Sequence, residues 1–104
     1  MKVKPEDWTH QLEQDTNAVI LDVRTEEEGN DWIIPNAVKI DIYKGLGFIY
    51  KIVELDKSKN YYVYCKSGGR SEQACNLMKQ MGFENTYNLV GGMMQWKGEI
   101  IFPE

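Results

Sequence analysis

Short apolar runs alternate with amphipathic segments along this chain of 104 residues, and that alternation restricts its fold more than any other feature. Four runs are rich in the aliphatic and aromatic residues of buried strands: 18–23 (AVILDV), 36–42 (NAVKIDI), 60–65 (NYYVYC) and 85–90 (NTYNLV). Three segments space their apolar residues as helices do: 4–14, 45–55 and 71–81. Shorter helices are predicted within 24–31 (RTEEEGND), together with a turn, and within 91–96 (GGMMQW). This order predicts an α/β fold with a mainly parallel central sheet.

No repeat, low-complexity segment or linker divides the chain, so we expect residues 1–104 to form a single domain. The net charge of −4 and the lack of a basic run give no support for a nucleic-acid partner. No apolar run approaches the roughly 20 residues of a membrane helix, so no membrane partner is expected either. The first residues (MKVKPEDWTH) have no apolar signal core, and a cytoplasmic protein with reduced thiols is the expectation.

The chain has two cysteines, Cys65 and Cys75, and a single histidine, His10. The cysteine spacing is not C-x-x-C, and one histidine is too few for a zinc site of the Cys/His type, so no metal is expected. Cys75 lies within the amphipathic segment 71–81, which indicates a buried apolar side chain rather than a resolving thiol.

Cys65 ends a predicted strand and enters a glycine-rich turn, in the stretch YVYCKSGGRS. Ligands of open parallel sheets bind beyond the carboxyl ends of the strands, which is where this cysteine falls. Gly68 and Gly69 permit backbone conformations that turn consecutive N–H groups inward, where they bind anions. A helix that begins near Ser71 points its positive end at the same place. These features favour a thiolate, so the sequence predicts that Cys65 is a nucleophile that needs no neighbouring histidine.

The predicted anion cradle consists of the six residues after the nucleophile: Lys66, Ser67, Gly68, Gly69, Arg70 and Ser71. A guanidinium suits oxyanions, so Arg70 is predicted either to orient the loop or to bind an anionic donor. Lys66 is the weaker candidate, because exposed lysines are commonly solvated surface.

Four residues separate Cys65 from Arg70, which gives the pattern C-x4-R-S. That loop is one residue shorter than the C-x5-R-[ST] loop of cysteine phosphatases. A smaller ring of N–H groups leaves less room for three phosphoryl oxygens but suits one added sulfur atom. The segment 62–83 resembles the catalytic segment of the rhodanese, or thiosulfate sulfurtransferase, family. Three further segments resemble the signatures of that family, in the same order: 21–28 (LDVRTEEE), 34–42 (IPNAVKIDI) and 88–97 (NLVGGMMQWK).

The resemblance implies a three-layer rhodanese-like fold and a sulfurtransferase that carries sulfur as a persulfide on Cys65, with no separate cofactor. The implied donor is a small anion such as thiosulfate, and the implied acceptor is a small thiol, a protein thiol or cyanide. A persulfide carrier that serves a protein partner and turns over little thiosulfate is the alternative. A cysteine phosphatase or arsenate reductase is disfavoured by the short loop.

Asp22 and Arg24 follow the first predicted strand, within the first of these segments. They are expected to support the site, either as an ion pair that ties strand to loop or through a contact with the active-site side of the sheet. The structural role is favoured, because buried pairs are commonly architectural.

The family often carries Gly-His-Ile where this chain has Trp32, Ile33 and Ile34. This departure points to an altered surface at Trp32. The unusually apolar segment 43–55 is expected to line either the pocket or an interface.

Overall fold

A computed structural model describes residues 1–28 and 32–102 of the chain. Five parallel strands form one sheet in the order β1-β5-β4-β2-β3. The strands are β1 (Lys2–Val3), β2 (Ala18–Asp22), β3 (Val38–Lys39), β4 (Asn60–Tyr64) and β5 (Thr86–Leu89). The helices are α1 (Pro5–Gln14), α2 (Leu46–Val53) and α3 (Gly69–Gln80), with short 3₁₀ helices at Ile42–Lys44 and Gly92–Gln95.

The central strand β4 shows why the sheet is covered on both faces, because its side chains alternate between two apolar cores. Tyr61 and Val63 face the core that contains residues of α2 and α3. Tyr62 and Tyr64 face the core that contains Trp8 of α1. A strand buried on both faces has no polar side, which explains the continuous apolar run in the sequence. The predicted α/β fold, with a parallel sheet between helical layers, is confirmed.

Two strands differ from the sequence prediction. The run 36–42 contributes only Val38–Lys39 as β3, because Asn36 has a positive φ of 69° and the Asp41 side chain accepts a hydrogen bond from the Tyr43 N–H at 2.8 Å. That bond begins the 3₁₀ helix and ends the extended backbone. β1 was missed, since two residues are too few to show alternation.

The predicted short helix and turn over 24–31 lie only partly within the described residues, where 24–28 contain a bend and a turn. None of the helices in the two described ranges is long and apolar enough to cross a membrane.

The carboxyl ends of β2, β4 and β5 meet at one edge of the sheet and define where a site can form. Asp22 pairs in register with Tyr64, and Val63 pairs with Asn88. Cys65, directly after β4, therefore lies between the segments that follow the two neighbouring strands.

Candidate active site

The side chain of Cys65 is buried, with 1% of the residue exposed, and donors surround its sulfur. The Gly68 N–H lies 3.0 Å from Sγ, the Ser71 N–H lies 3.5 Å away and the Ser71 hydroxyl lies 3.4 Å away. Burial raises the pKa of the Cys65 thiol, but hydrogen bonds from Ser71, Gly68 and the Ser67 N–H outweigh it and lower the pKa overall. The site therefore favours a thiolate, the nucleophilic form of cysteine.

Only one of the two loop glycines has the backbone conformation that the sequence suggested for both. Gly68 is left-handed, with φ of 104°, and a Cβ there would lie 3.3 Å from the Gly91 nitrogen. Gly69 has no positive φ and open space around it, because it is already the first residue of α3. α3 thus begins two residues earlier than predicted, and Arg70 belongs to its first turn.

The loop is fixed from behind by the segment after β5. The N–H groups of Met93 and Met94 donate to the carbonyl oxygens of Cys65 and Lys66, both at 3.0 Å. Since the C=O and N–H of a trans peptide point in opposite directions, these bonds turn the following N–H groups of the loop away from Met93 and Met94. Gly92 allows this approach, because a Cβ at this position would lie 2.5 Å from the Cys65 carbonyl oxygen. The segment after β5 therefore shapes the cradle through its backbone.

Arg70 forms a two-pronged ion pair with Glu28. Its Nη1 donates to Oε1 at 2.5 Å and its Nη2 donates to Oε2 at 2.8 Å, while the guanidinium also lies over the Tyr43 ring. Thr25 donates to the same Glu28 carboxylate through its N–H and its hydroxyl. Of the two roles that the sequence left open for Arg70, this geometry fits orientation of the loop better than binding of the anion.

The ionised Glu28 side chain makes the stability of the protein depend on pH in the acid range. The ion pair with Arg70 lowers the pKa of Glu28 from 4.5 to about 2. A carboxyl group whose pKa is lower in the folded than in the unfolded state stabilises the fold at pH values above its unfolded-state pKa. This contribution is lost as the pH falls through the folded-state pKa. We expect Glu28→Gln to cost on the order of 1 to 2 kcal/mol at pH 7, an amount reduced by partial exposure to solvent.

The difference in free energy of unfolding between the parent and Glu28→Gln should shrink as the pH falls from about 4.5 to about 2. Urea denaturation at each pH measures that difference. A difference that stays constant over this range would show that the Glu28 charge does not stabilise the fold.

Asp22 and Arg24 form a second, more deeply buried pair. Asp22 accepts from the Arg24 N–H and Nε, both at 3.0 Å, and from Nη2 at 2.8 Å. The Tyr64 hydroxyl donates to the same carboxylate at 3.0 Å, and Arg24 also donates to the Trp32 carbonyl at 2.8 Å. The pair thus links the ends of β2 and β4 to the segment at Trp32, which fits the structural role.

The remaining cradle residues lie at the surface. Lys66, Ser67 and Gly69 are exposed, whereas Gly68 and Ser71 are buried against the sulfur. Lys66 makes its described contact through its backbone carbonyl.

Cys75 lies in the core formed with α2 and α3, where burial raises the pKa of its thiol. Both cysteines are free thiols. The position of Cys75 agrees with the expectation of a buried apolar side chain.

Asn88 and Glu28 also support the loop, although neither was predicted from the sequence. Asn88 is buried on β5, where its side chain contacts Ser71 and Gly68. An asparagine within a predicted strand was the available signal, because a buried amide must find a hydrogen-bond partner. Glu28 gave no comparable signal, since it ends a run of three glutamates.

Trp32 is half exposed and stacks on Phe102, with 3.7 Å between ring centroids. The neighbouring Ile33 forms an antiparallel bridge with Ile101. Trp32 and Ile33 therefore contact the segment that contains Ile101 and Phe102.

Fold and site together define a class: α/β domains that present a buried cysteine, faced by N–H donors of the following loop, at the carboxyl end of the central strand. The model of the Rhodanese-like domain family matches residues 5–99, nearly the whole chain. The protein belongs to the rhodanese-like family, as the sequence resemblance predicted.

Relatives with curated names agree with this placement. The chain is 42% identical over 89 residues to the putative sulfurtransferase YtwF of Bacillus subtilis, which covers 85% of this chain and 82% of that protein. It is 28% identical over 106 residues to a sulfurtransferase of Allochromatium vinosum, which covers 99% of this chain and 96% of that protein. These names support a general role in sulfur transfer.

The same fold has been solved in a rhodanese-like domain protein from Staphylococcus aureus. The two structures align with a TM-score of 0.85 at 26% identity, over 99% of this chain and 98% of the other.

Proposed function

We propose that this protein is a sulfurtransferase that moves sulfane sulfur from an anionic donor such as thiosulfate to a thiol or cyanide, through a persulfide on Cys65. The observation that supports this best is the sulfur of Cys65, which faces the N–H groups of Gly68 and Ser71 and the Ser71 hydroxyl. This arrangement stabilises negative charge on sulfur without a basic side chain.

In the first step, the Cys65 thiolate attacks the outer sulfur of thiosulfate. A new S–S bond forms, the S–S bond of thiosulfate breaks, and sulfite leaves with the electron pair of the broken bond. The products are a Cys65 persulfide anion and sulfite, so the total charge and the number of atoms are unchanged. The N–H groups of the loop and the amino end of α3 favour the anions at each stage.

In the second step, an acceptor anion attacks the outer sulfur of the persulfide. Cyanide takes that sulfur as thiocyanate, and a thiolate takes it as a new persulfide. In both cases the S–S bond to Cys65 breaks and its electron pair returns to Sγ, which restores the thiolate. The enzyme needs no oxidant or reductant for either step.

The size of the loop separates this proposal from phosphate chemistry. Three residues separate Cys65 from Gly69, where α3 begins, and Arg70 is already bound to Glu28. A phosphatase of this kind would need an arginine free to hold phosphoryl oxygens. The geometry thus favours one added sulfur atom over a phosphoryl group.

The test is the formation of thiocyanate from thiosulfate and cyanide. We expect turnover by the parent protein and a loss on the order of 10³-fold or more in Cys65→Ser. Cys75→Ala is the matched control, because it removes the other buried thiol from outside the loop, and it should keep most of the activity.

If Cys65→Ser matches the parent, the proposal is wrong. If the parent forms no thiocyanate but accepts sulfur from a protein persulfide, the chain is the persulfide carrier instead.

A further inference from the structure

Asn88 and Ser71 form a buried polar pair directly behind the catalytic loop. Asn88 is 3% exposed, and its Oδ1 accepts a hydrogen bond from the Ser71 hydroxyl. Its Nδ2 donates to the Gly68 carbonyl at 3.2 Å. This orientation of the amide is the favourable one, because the reverse would place two carbonyl oxygens against each other.

The Ser71 hydroxyl has one proton and three possible acceptors. Its Oγ lies near Asn88 Oδ1, 3.1 Å from the Gly68 carbonyl oxygen and 3.4 Å from Cys65 Sγ. A hydroxyl serves one acceptor well at a time, so these contacts exclude one another. Ser71 is therefore a rotor whose proton can either face Asn88 or face the sulfur.

The three acceptors depend on Ser71 to different degrees. The Gly68 carbonyl also accepts from the Glu72 N–H at 3.1 Å and from Asn88. Within the described ranges, Asn88 Oδ1 has no donor other than Ser71. When the proton turns to the sulfur, the buried Oδ1 loses its hydrogen bond, and that loss opposes the turn.

Sγ changes charge twice in the proposed reaction, on which this inference rests. As a thiolate it is charged and attracts the proton strongly, since hydrogen bonds to ions are about twice as strong as neutral ones. In the persulfide the charge lies on the outer sulfur and Sγ is neutral. We infer that Asn88 is a positioning residue, which holds the Ser71 hydroxyl proton while Sγ is neutral and yields it when Sγ becomes a thiolate.

If Asn88 has this role, its loss should lower the pKa of Cys65 rather than raise it. If Asn88 is replaced by an apolar residue of similar shape, the Ser71 proton no longer leaves a buried oxygen unpaired when it turns to the sulfur. The Gly68 carbonyl keeps its bond from Glu72 in either state. Loss of Asn88 should therefore make the thiolate easier to form. A purely structural role predicts the opposite, because a looser loop brings its donors less closely to Sγ.

The test measures the pKa of Cys65 from the rate of alkylation by iodoacetamide between about pH 5 and 10, with the modified cysteine identified by mass spectrometry. Asn88→Leu should lower that pKa by about half a pH unit or more, and Ser71→Ala should raise it. In the Ser71→Ala background, Asn88→Leu should no longer lower it, because the effect passes through the hydroxyl.

A pKa that rises in folded Asn88→Leu, or one that falls equally with and without Ser71, would overturn the inference. Asn88→Val suits a strand and replaces the leucine variant if that protein fails to fold by circular dichroism. Alkylation needs no sulfur donor, so this result and the failure of sulfur transfer from thiosulfate can be told apart.

Discussion

Gly92→Ala is expected to reduce sulfur transfer at least 100-fold and to destabilise the protein by about 2 to 5 kcal/mol. The new Cβ would lie 2.5 Å from the Cys65 carbonyl oxygen and 2.6 Å from that of Lys66, both of which are backbone atoms. Gly92 also has a positive φ of 56°, which is costly for alanine. Relief of the clash requires the loop to move, and the N–H groups around Sγ move with it. Urea denaturation measures the stability, and thiocyanate formation measures the activity.

Gly45→Ala is the control for alanine at a positive φ without a steric clash. Gly45 has nearly the same φ, 57°, but nothing lies within 4 Å of its added Cβ. It should lose some stability and keep its rate of sulfur transfer. If Gly92→Ala also keeps that rate, the segment after β5 does not shape the cradle in the way described above.

Asp22→Asn is expected to cost about 3 to 5 kcal/mol, because it leaves the buried Arg24 guanidinium without a counter-charge. Asp22 is fully buried, Arg24 is 7% exposed, and three donor groups of that arginine share the carboxylate. The midpoint and slope of a urea denaturation curve give the loss of stability.

The double variant Asp22→Leu/Arg24→Met separates a structural role from a catalytic one. Buried ion pairs replaced together by apolar residues are often close to neutral, so the double variant should recover at least half of the lost stability. It should also recover sulfur transfer, since the loop donors to Cys65 come from other residues. A double variant that is stable yet inactive would assign Asp22 or Arg24 a part in the chemistry.

The sequence predicts the layered fold well because its strongest signals are local. A run such as 60–65 shows its burial on both faces directly, and the cysteine at its end marks the carboxyl edge of the sheet. Edge elements are harder, because β1 and β3 have two residues each and no pattern can form over so short a length.

The supports of the site were harder to predict because they join distant parts of the chain. Arg70 and Glu28 are 42 residues apart, and Ser71 and Asn88 are 17 apart, so neither pair has a local spacing rule. The pattern C-x4-R placed Arg70 beside Cys65 but left open whether its side chain orients the loop or binds an anionic donor. Its actual partner depends on where the segment after β2 lies, which tertiary packing decides.

The most direct test of a Cys65 persulfide is the intact mass of the reduced protein after incubation with thiosulfate, and again after addition of cyanide. We predict a gain of about 32 Da, one sulfur atom, that cyanide removes and that never forms on Cys65→Ser. An unchanged mass in a folded protein whose Cys65 still titrates with a lowered pKa would contradict it, and so would a sulfur adduct of equal yield on Cys65→Ser.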